Sequence, residues 1–98
     1  MSISSSEVRE GVIEILREMV SARDTPEIND GTDPIHGLGL VSDDGLDFAC
    51  EISTRFGFHF PDDLNPFVDD AGHRARLVRE IVDLIAPMIP DIKEAHSG

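Results

Sequence analysis

Apolar residues recur at helical spacing in three segments of this 98-residue chain, and no segment shows the two-residue alternation of a half-buried strand. In the first segment, from Ser6 to about Ser21, they follow the positions i, i+4, i+7, i+8 and i+11 of one helix face. The members of this stripe are Val8, Val12, Ile15, Leu16 and Met19. The spacing predicts an all-α fold. Its first helix is capped by Ser4, Ser5 or Ser6 and weakened by about 1 kcal/mol at Gly11.

Two further helices and one helical turn are predicted from the same kind of pattern. The second helix begins at Ser42, a favoured N-cap residue, and ends before Gly57, which suits the left-handed C′ position. The third runs from Asp70 or Ala71 to about Ala86, and a short helical turn covers Asp63 to Val68. The apolar face of the second helix consists of Leu46, Phe48, Ala49, Ile52 and Phe56, and that of the third consists of Leu77, Val78, Ile81, Leu84, Ile85 and Met88.

The first two helices are joined by a long loop at residues 24–41. Pro26 and Pro34 prevent a continuous helix there. Apolar residues scattered through the loop predict that it is pinned to the core. The tail from Asp91 to Gly98 is expected to be disordered.

Negative charge is concentrated in the middle of the chain. The formal net charge is −12, and residues 24–70 hold twelve acidic residues against a single base, Arg55. Such a field repels nucleic acid and anionic membranes and attracts basic protein surfaces. We therefore expect no nucleic-acid or membrane partner and a docking face for basic proteins. The alternative is an acidic surface that serves only solubility.

The cellular compartment is predicted from three features. No apolar run approaches the roughly 20 residues of a membrane helix. The first residues lack the basic and apolar regions of a secretory signal. Cys50 is the only cysteine, which fits a reducing cytoplasm, and we interpret it as a half-buried packing residue. We expect a cytoplasmic monomer.

Residues 38–61 contain a spaced set of motifs around one serine. Leu38-Gly39 precedes Ser42, the aromatic Phe56 follows one helix later, and Phe60-Pro61 forms an apolar–proline pair. This arrangement resembles the acyl and peptidyl carrier proteins, in which the serine at the start of the second helix carries a 4′-phosphopantetheine arm. The resemblance implies a small four-helix bundle, three main helices plus one short helix, in a single domain of residues 1–98 with an ordered core at about 6–88.

The same resemblance implies a function. Ser42 would be the attachment site, and the thiol of the arm would hold a thioester-linked group in lipid or secondary-metabolite biosynthesis. No residue of the domain would be catalytic, so the protein would not be an enzyme. The core that anchors the second helix would contain Leu46, Phe48, Ile52, Phe56 and Phe60.

The residues beside the serine differ from the family signature. The family has Asp-Ser-Leu where Val41-Ser42-Asp43 stand here, so the resemblance implies a non-standard acyl or aminoacyl carrier. A second register aligns Asp44-Gly45-Leu46 with Asp-Ser-Leu, so that Gly45 replaces the serine. In that register the helix is three residues too short for Phe56 to take the aromatic position at its end. The ungapped register is preferred. The alternative function is a carrier-like helical protein-interaction module without a prosthetic group.

Acidic residues cluster on one face of the second helix. Asp44, Asp47 and Glu51 lie at i, i+3 and i+7, and Asp43 precedes them. The resemblance implies that these four dock basic surfaces of a phosphopantetheinyl transferase and of the enzymes that load and unload the arm. A solvated helix face would show the same pattern.

Other chemistry is less well supported. Gly45 and Glu51 have the spacing of positions 6 and 12 of an EF-hand loop, but position 1 would be Leu40, which offers no side-chain oxygen. We therefore predict no metal site and keep a calcium-responsive domain as a third hypothesis. The only basic cluster, at Arg74, Arg76 and Arg79, is too small to indicate nucleic-acid binding.

Overall fold

A computed structural model describes residues 3–20, 27–69, 74–90 and the backbone of 92–93. Within these residues the α-helices are α1 at Ser5–Val20, α2 at Asp44–Phe56 and α3 at Val78–Ile85, and a 3-10 turn at Ala86–Met88 follows α3. Two short strands, β1 at Ile3–Ser4 and β2 at Ile92–Lys93, pair in parallel with Ile3 opposite Ile92. The prediction of a mainly helical small domain is confirmed. The prediction that the tail from Asp91 to Gly98 is disordered is wrong at Ile92–Lys93, which form β2.

Helix α1 begins at a capping box. The hydroxyl oxygen of Ser4 accepts a hydrogen bond from the N–H of Glu7 (3.2 Å), and the Glu7 carboxylate accepts one from the N–H of Ser4 (3.2 Å). The structure therefore selects Ser4 among the three predicted caps. The predicted extent of the helix is confirmed up to Val20, and Ser21 lies outside the described residues.

The core lies where the stripe of α1 meets α3 and one face of α2. Its largest members are the rings of Phe48 and Phe67, whose centroids lie 5.4 Å apart. Leu46, predicted to join this core, has 55% of its surface exposed. The reason is helix geometry: two residues apart means about 200° of rotation, so Leu46 and the buried Phe48 point to opposite sides of α2.

The long loop before α2 is pinned to the body of the protein over residues 27–41, as predicted. Ile28 and Pro34 are buried. The loop also caps α3, because the carbonyl of Thr32 accepts the N–H of Val78 (2.9 Å) and the carbonyl of Asp30 accepts the N–H of Arg79 (3.0 Å). Two donors that a helix N-terminus leaves without intrahelical partners are satisfied in this way.

Helix α3 is shorter than predicted. Residues 74–77, expected to be helical, are not helical, and Ala75 forms an antiparallel bridge with Val68. The N–H of Arg76 donates to the carbonyl of Phe67 (2.9 Å). This pairing holds the backbone out of helical geometry until Val78, and Leu77 takes the N-cap position. Residues 70–73 lie outside the described part of the chain.

The short helix expected between Asp63 and Val68 is absent from this fully described segment, which forms turns and the bridge. Asn65 accounts for the difference, since its side-chain oxygen accepts the N–H of Phe67 (2.8 Å) and so favours a turn over a helix. The predicted bundle of three main helices plus one short helix between the second and third is therefore not what the described residues form.

Candidate functional site

Ser42 lies in an exposed turn that leads into α2. The helix begins at Asp44, so the prediction that Ser42 is its N-cap is wrong. Three successive carbonyls, those of Val41, Ser42 and Asp43, accept the N–H groups three residues ahead at 2.9, 3.0 and 3.1 Å. The chain thus enters α2 through a tight 3-10-like turn, and Ser42 is carried at its outer corner.

The entry turn is closed by the carboxylate of Asp44. Its Oδ2 accepts a hydrogen bond from the N–H of Val41 (3.0 Å), with the same three-residue spacing as the backward bond of a capping box but ahead of the helix start. Val41 has no side-chain oxygen to supply the forward bond of such a box. Asp44 was predicted as a partner-docking residue, and the structure gives its side chain a second task inside the turn.

The hydroxyl of Ser42 makes no hydrogen bond to any described residue. The N–H groups of Ser42 and Asp43 also have no acceptor in the described part of the chain, whereas those of Asp44, Gly45 and Leu46 are used in the turn. An incoming phosphate at this corner would therefore meet two available N–H donors. It would also meet the charge of Asp43, which partly offsets their attraction.

Asn65, which is not among the site residues predicted from the sequence, ties this turn to the rest of the fold. Its Nδ2 donates to the carbonyl of Ser42 (2.8 Å), while its Oδ1 takes the N–H of Phe67. Gly45 makes room for it: a Cβ at that position would stand 2.1 Å from Asn65 Oδ1. No local pattern links Ser42 to a residue 23 positions away, so only a tertiary structure reveals the contact.

Exposed apolar side chains flank the turn. Val41 is 59% exposed and Leu46 is 55% exposed, and these are the exposed large hydrophobic residues in the described part of the chain. Asp43 and Asp47 lie beside them and are exposed as well. The surface around Ser42 therefore combines apolar contact area with negative charge.

The predicted acidic face borders a groove between α1 and α2. Asp44, Asp47 and Glu51 all line this groove of about 510 Å³, together with Ile15 and Met19 of α1. The shared face inferred from their spacing is confirmed. An ion pair between Arg55 and Glu14 holds the two helices together farther along.

A second groove of about 470 Å³ lies on the other side of α2. Its lining consists of Leu46, Ala49, Cys50, Ser53, Phe58, His59, Phe60, Pro61, Asp62 and Leu64. Cys50 borders both grooves and is exposed, so its interpretation as a half-buried packing residue was wrong. Phe60 is buried, as predicted, and Phe56 is half-buried.

The EF-hand spacing and the arginine cluster do not form binding sites among the described residues. The EF-hand spacing at Gly45 and Glu51 lies within α2, which cannot form the required loop. Among the described residues, no group of three or more His, Cys, Asp or Glu side chains could hold a metal ion. The basic cluster is divided, because Arg74 forms an ion pair with Glu80 (2.5 Å) and Arg76 is buried.

Two carboxylates have lowered pKa values. Partial burial alone would raise the pKa of Asp33, but hydrogen bonds from the side chain and N–H of His36 and from the N–H of Ile35 bring it below its usual value. The Arg74 guanidinium and the N–H of Leu77 lower the pKa of Glu80 to about 2. Neither carboxylate contacts the Ser42 turn, so both belong to the framework.

Comparison with known proteins returns no match to this chain among protein-family models, curated proteins or solved structures. None of the helices in the described residues has the length and apolar character needed to cross a membrane.

Proposed function

We propose that this protein is a non-standard acyl or aminoacyl carrier that holds a thioester-linked group on a 4′-phosphopantetheine arm at Ser42. The observation that carries the proposal is the position of Ser42: exposed, with a free hydroxyl, at the corner where a pinned turn enters α2. The motifs spaced from Leu38 to Pro61 support it. We place this carrier in the cytoplasm because of its single cysteine.

The residues at the corner fit the arm's phosphate in part. The N–H groups of Ser42 and Asp43 are available as donors, and the carboxylate of Asp44 is held by Val41. The attachment joins the Ser42 oxygen to the phosphorus of coenzyme A's arm and releases adenosine bisphosphate, while the hydroxyl proton passes to a base of the transferase. Once attached, the arm supplies a thiol for thioester formation.

The transferase must supply that base. No described histidine or carboxylate contacts the Ser42 hydroxyl. In this proposal the domain presents a group and catalyses nothing itself. Partner enzymes would be guided by Asp43, Asp47 and Glu51, which are exposed, and would contact Val41 and Leu46 at short range.

The test is the intact mass after co-expression with a broad-specificity phosphopantetheinyl transferase. We expect a gain of one arm in the wild type and in Ser53→Ala, and no gain in Ser42→Ala. Ser53 is a matched control on α2 itself, where its hydroxyl donates to the carbonyl of Cys50 (3.0 Å). A gain that persists in Ser42→Ala would refute the assignment of the site.

The second candidate function is a carrier-like protein-interaction module without a prosthetic group. The exposed pair Val41 and Leu46 favours it, because large apolar side chains beside a charged rim are typical of contact surfaces. Both residues would then serve binding alone. If the wild type gains no mass while its helical circular dichroism is intact, this module becomes the preferred function.

A further inference from the structure

We infer that Asn65 is the positioning residue for Ser42: it holds the entry turn of α2 in the one orientation in which the serine is presented for modification. The inference rests on the proposed function. It concerns a residue outside the motif region of 38–61, on the segment that follows Phe60-Pro61.

The contacts fix the orientation of the amide. Nδ2 lies 2.8 Å from the carbonyl oxygen of Ser42, and Oδ1 lies 2.8 Å from the backbone nitrogen of Phe67. Rotating the amide by 180° would face oxygen with oxygen and N–H with N–H. Only one of the two orientations satisfies both neighbours, so the assignment follows from the hydrogen-bond network.

The residues that follow Asn65 in the chain are anchored in the core. Phe67 and Pro66 are fully buried, and the ring of Phe67 packs against that of Phe48 on α2. Asn65 therefore extends from a rigid base. A hydrogen bond from such a base restrains its acceptor more than one from a mobile surface side chain does.

At Gly45, the first turn of α2 leaves room for the side-chain amide of Asn65. Gly45, in the first turn of α2, is buried beneath Asn65, and any larger residue there would collide with it. Ser42 would keep its second bond, from the N–H of Gly45, if Asn65 were removed. The helix would then persist while the corner that carries the serine lost its lateral restraint.

Two substitutions at Asn65 separate its hydrogen bond to Ser42 from its hydrogen bond to Phe67. Asn65→Asp keeps an oxygen for the N–H of Phe67 but removes the donor to Ser42, and Asn65→Ala removes both contacts. We expect both substitutions to lower the kcat of the transferase for this protein about three- to tenfold, which corresponds to the net free energy of one hydrogen bond. The KM should change little, because the acidic docking residues remain.

Asn29→Asp is the matched control, since it adds the same charge in another loop. There the Asn29 oxygen accepts the N–H of Gly31 (2.9 Å), a role that Asp retains. Gly45→Ala supplies an independent variant, because its methyl group would displace Asn65 without changing it. We expect Gly45→Ala to slow modification like Asn65→Ala, and the double variant to be no slower than either.

A second readout does not need the transferase. Backbone ¹⁵N relaxation should show greater mobility at Ser42 and Asp43 in Asn65→Asp than in Asn29→Asp, with the amides of α2 from Phe48 onward unchanged. If the wild type itself gains no arm, the proposed function fails, and this readout still decides whether Asn65 restrains the turn at Ser42. Unchanged mobility at Ser42 in Asn65→Asp, or an unchanged kcat where the wild type is modified, would overturn it.

Discussion

Gly11 of α1 lies directly against the ring of Phe56, the last residue of α2: a Cβ on Gly11 would stand 2.8 Å from Cε2 and from Cζ of that ring. The glycine that weakens α1 by its intrinsic preference is thus also the residue whose missing side chain makes room for the ring of Phe56. Helix propensity and tertiary packing oppose each other at this position.

We predict that Gly11→Ala lowers the free energy of unfolding by up to about 2 kcal/mol. The overpacking cost of about 1–3 kcal/mol exceeds the gain of about 1 kcal/mol in helix propensity. Urea unfolding measures the change. In a Phe56→Leu background the clash is relieved, and the same substitution should become stabilising. A stabilising effect in the wild-type background would show that the ring moves aside freely.

The ion pair of Glu80 and Arg74 predicts an acid-dependent loss of stability. The folded-state pKa of Glu80, about 2, lies below its ordinary value of 4.5, so the folded state binds fewer protons than the unfolded chain in this range. The stabilisation is therefore present above pH 4.5 and is lost as the pH falls toward 2. Because the pair is exposed, the effect is small.

Melting temperatures of the wild type and of Glu80→Gln test this. Glutamine still offers an oxygen to the N–H of Leu77, which now bonds Glu80 Oε1 (2.8 Å). The difference between the two proteins should shrink steadily from pH 5 to pH 2. Glu10→Gln, which removes one exposed charge from α1, serves as the control. A difference that does not vary with pH would contradict the ion pair.

The two faces of α2 should respond very differently to truncation. Phe48→Ala removes a fully buried ring that packs on Phe67 and should cost about 3–5 kcal/mol of stability. Leu46→Ala, on the exposed side, should change stability by less than about 0.5 kcal/mol. Denaturant unfolding of both variants measures this, and a large loss in Leu46→Ala would mean that its side chain is buried after all.

The acidic rim predicts a salt-dependent encounter with partner enzymes. Asp47→Asn should lower kcat/KM for modification about two- to fivefold at low ionic strength, because it removes an exposed attractive charge. The difference should disappear at about 1 M salt, where screening extends only about 3 Å. Asp83→Asn, an exposed acid on α3, is the matched control. An equal effect of both substitutions would indicate attraction by net charge rather than a docking face.

Several features of this protein could be predicted from its sequence because they depend on neighbouring residues. The stripe of α1 is buried as its spacing indicates, apart from the half-buried Met19. Gly57 takes the left-handed C′ position with φ of 68°. The common face of Asp44, Asp47 and Glu51 follows from helix geometry alone. The exposure of Leu46 could also have been predicted from helix geometry, because Leu46 and Phe48 point to opposite sides of α2.

The tertiary structure decided where the helices begin and what surrounds the serine. Pairing of Ala75 with Val68 delays α3 to Val78, and Asn65 at once prevents a short helix and restrains the turn at Ser42. The bond from Asn65 to Ser42 joins groups 23 residues apart, whereas its bond to Phe67 is local and competes with helix formation there. Periodicity reports only which face of a helix is apolar, whereas a helix boundary depends on which competing hydrogen bond satisfies each N–H and carbonyl. That competition is settled only when the chain is folded.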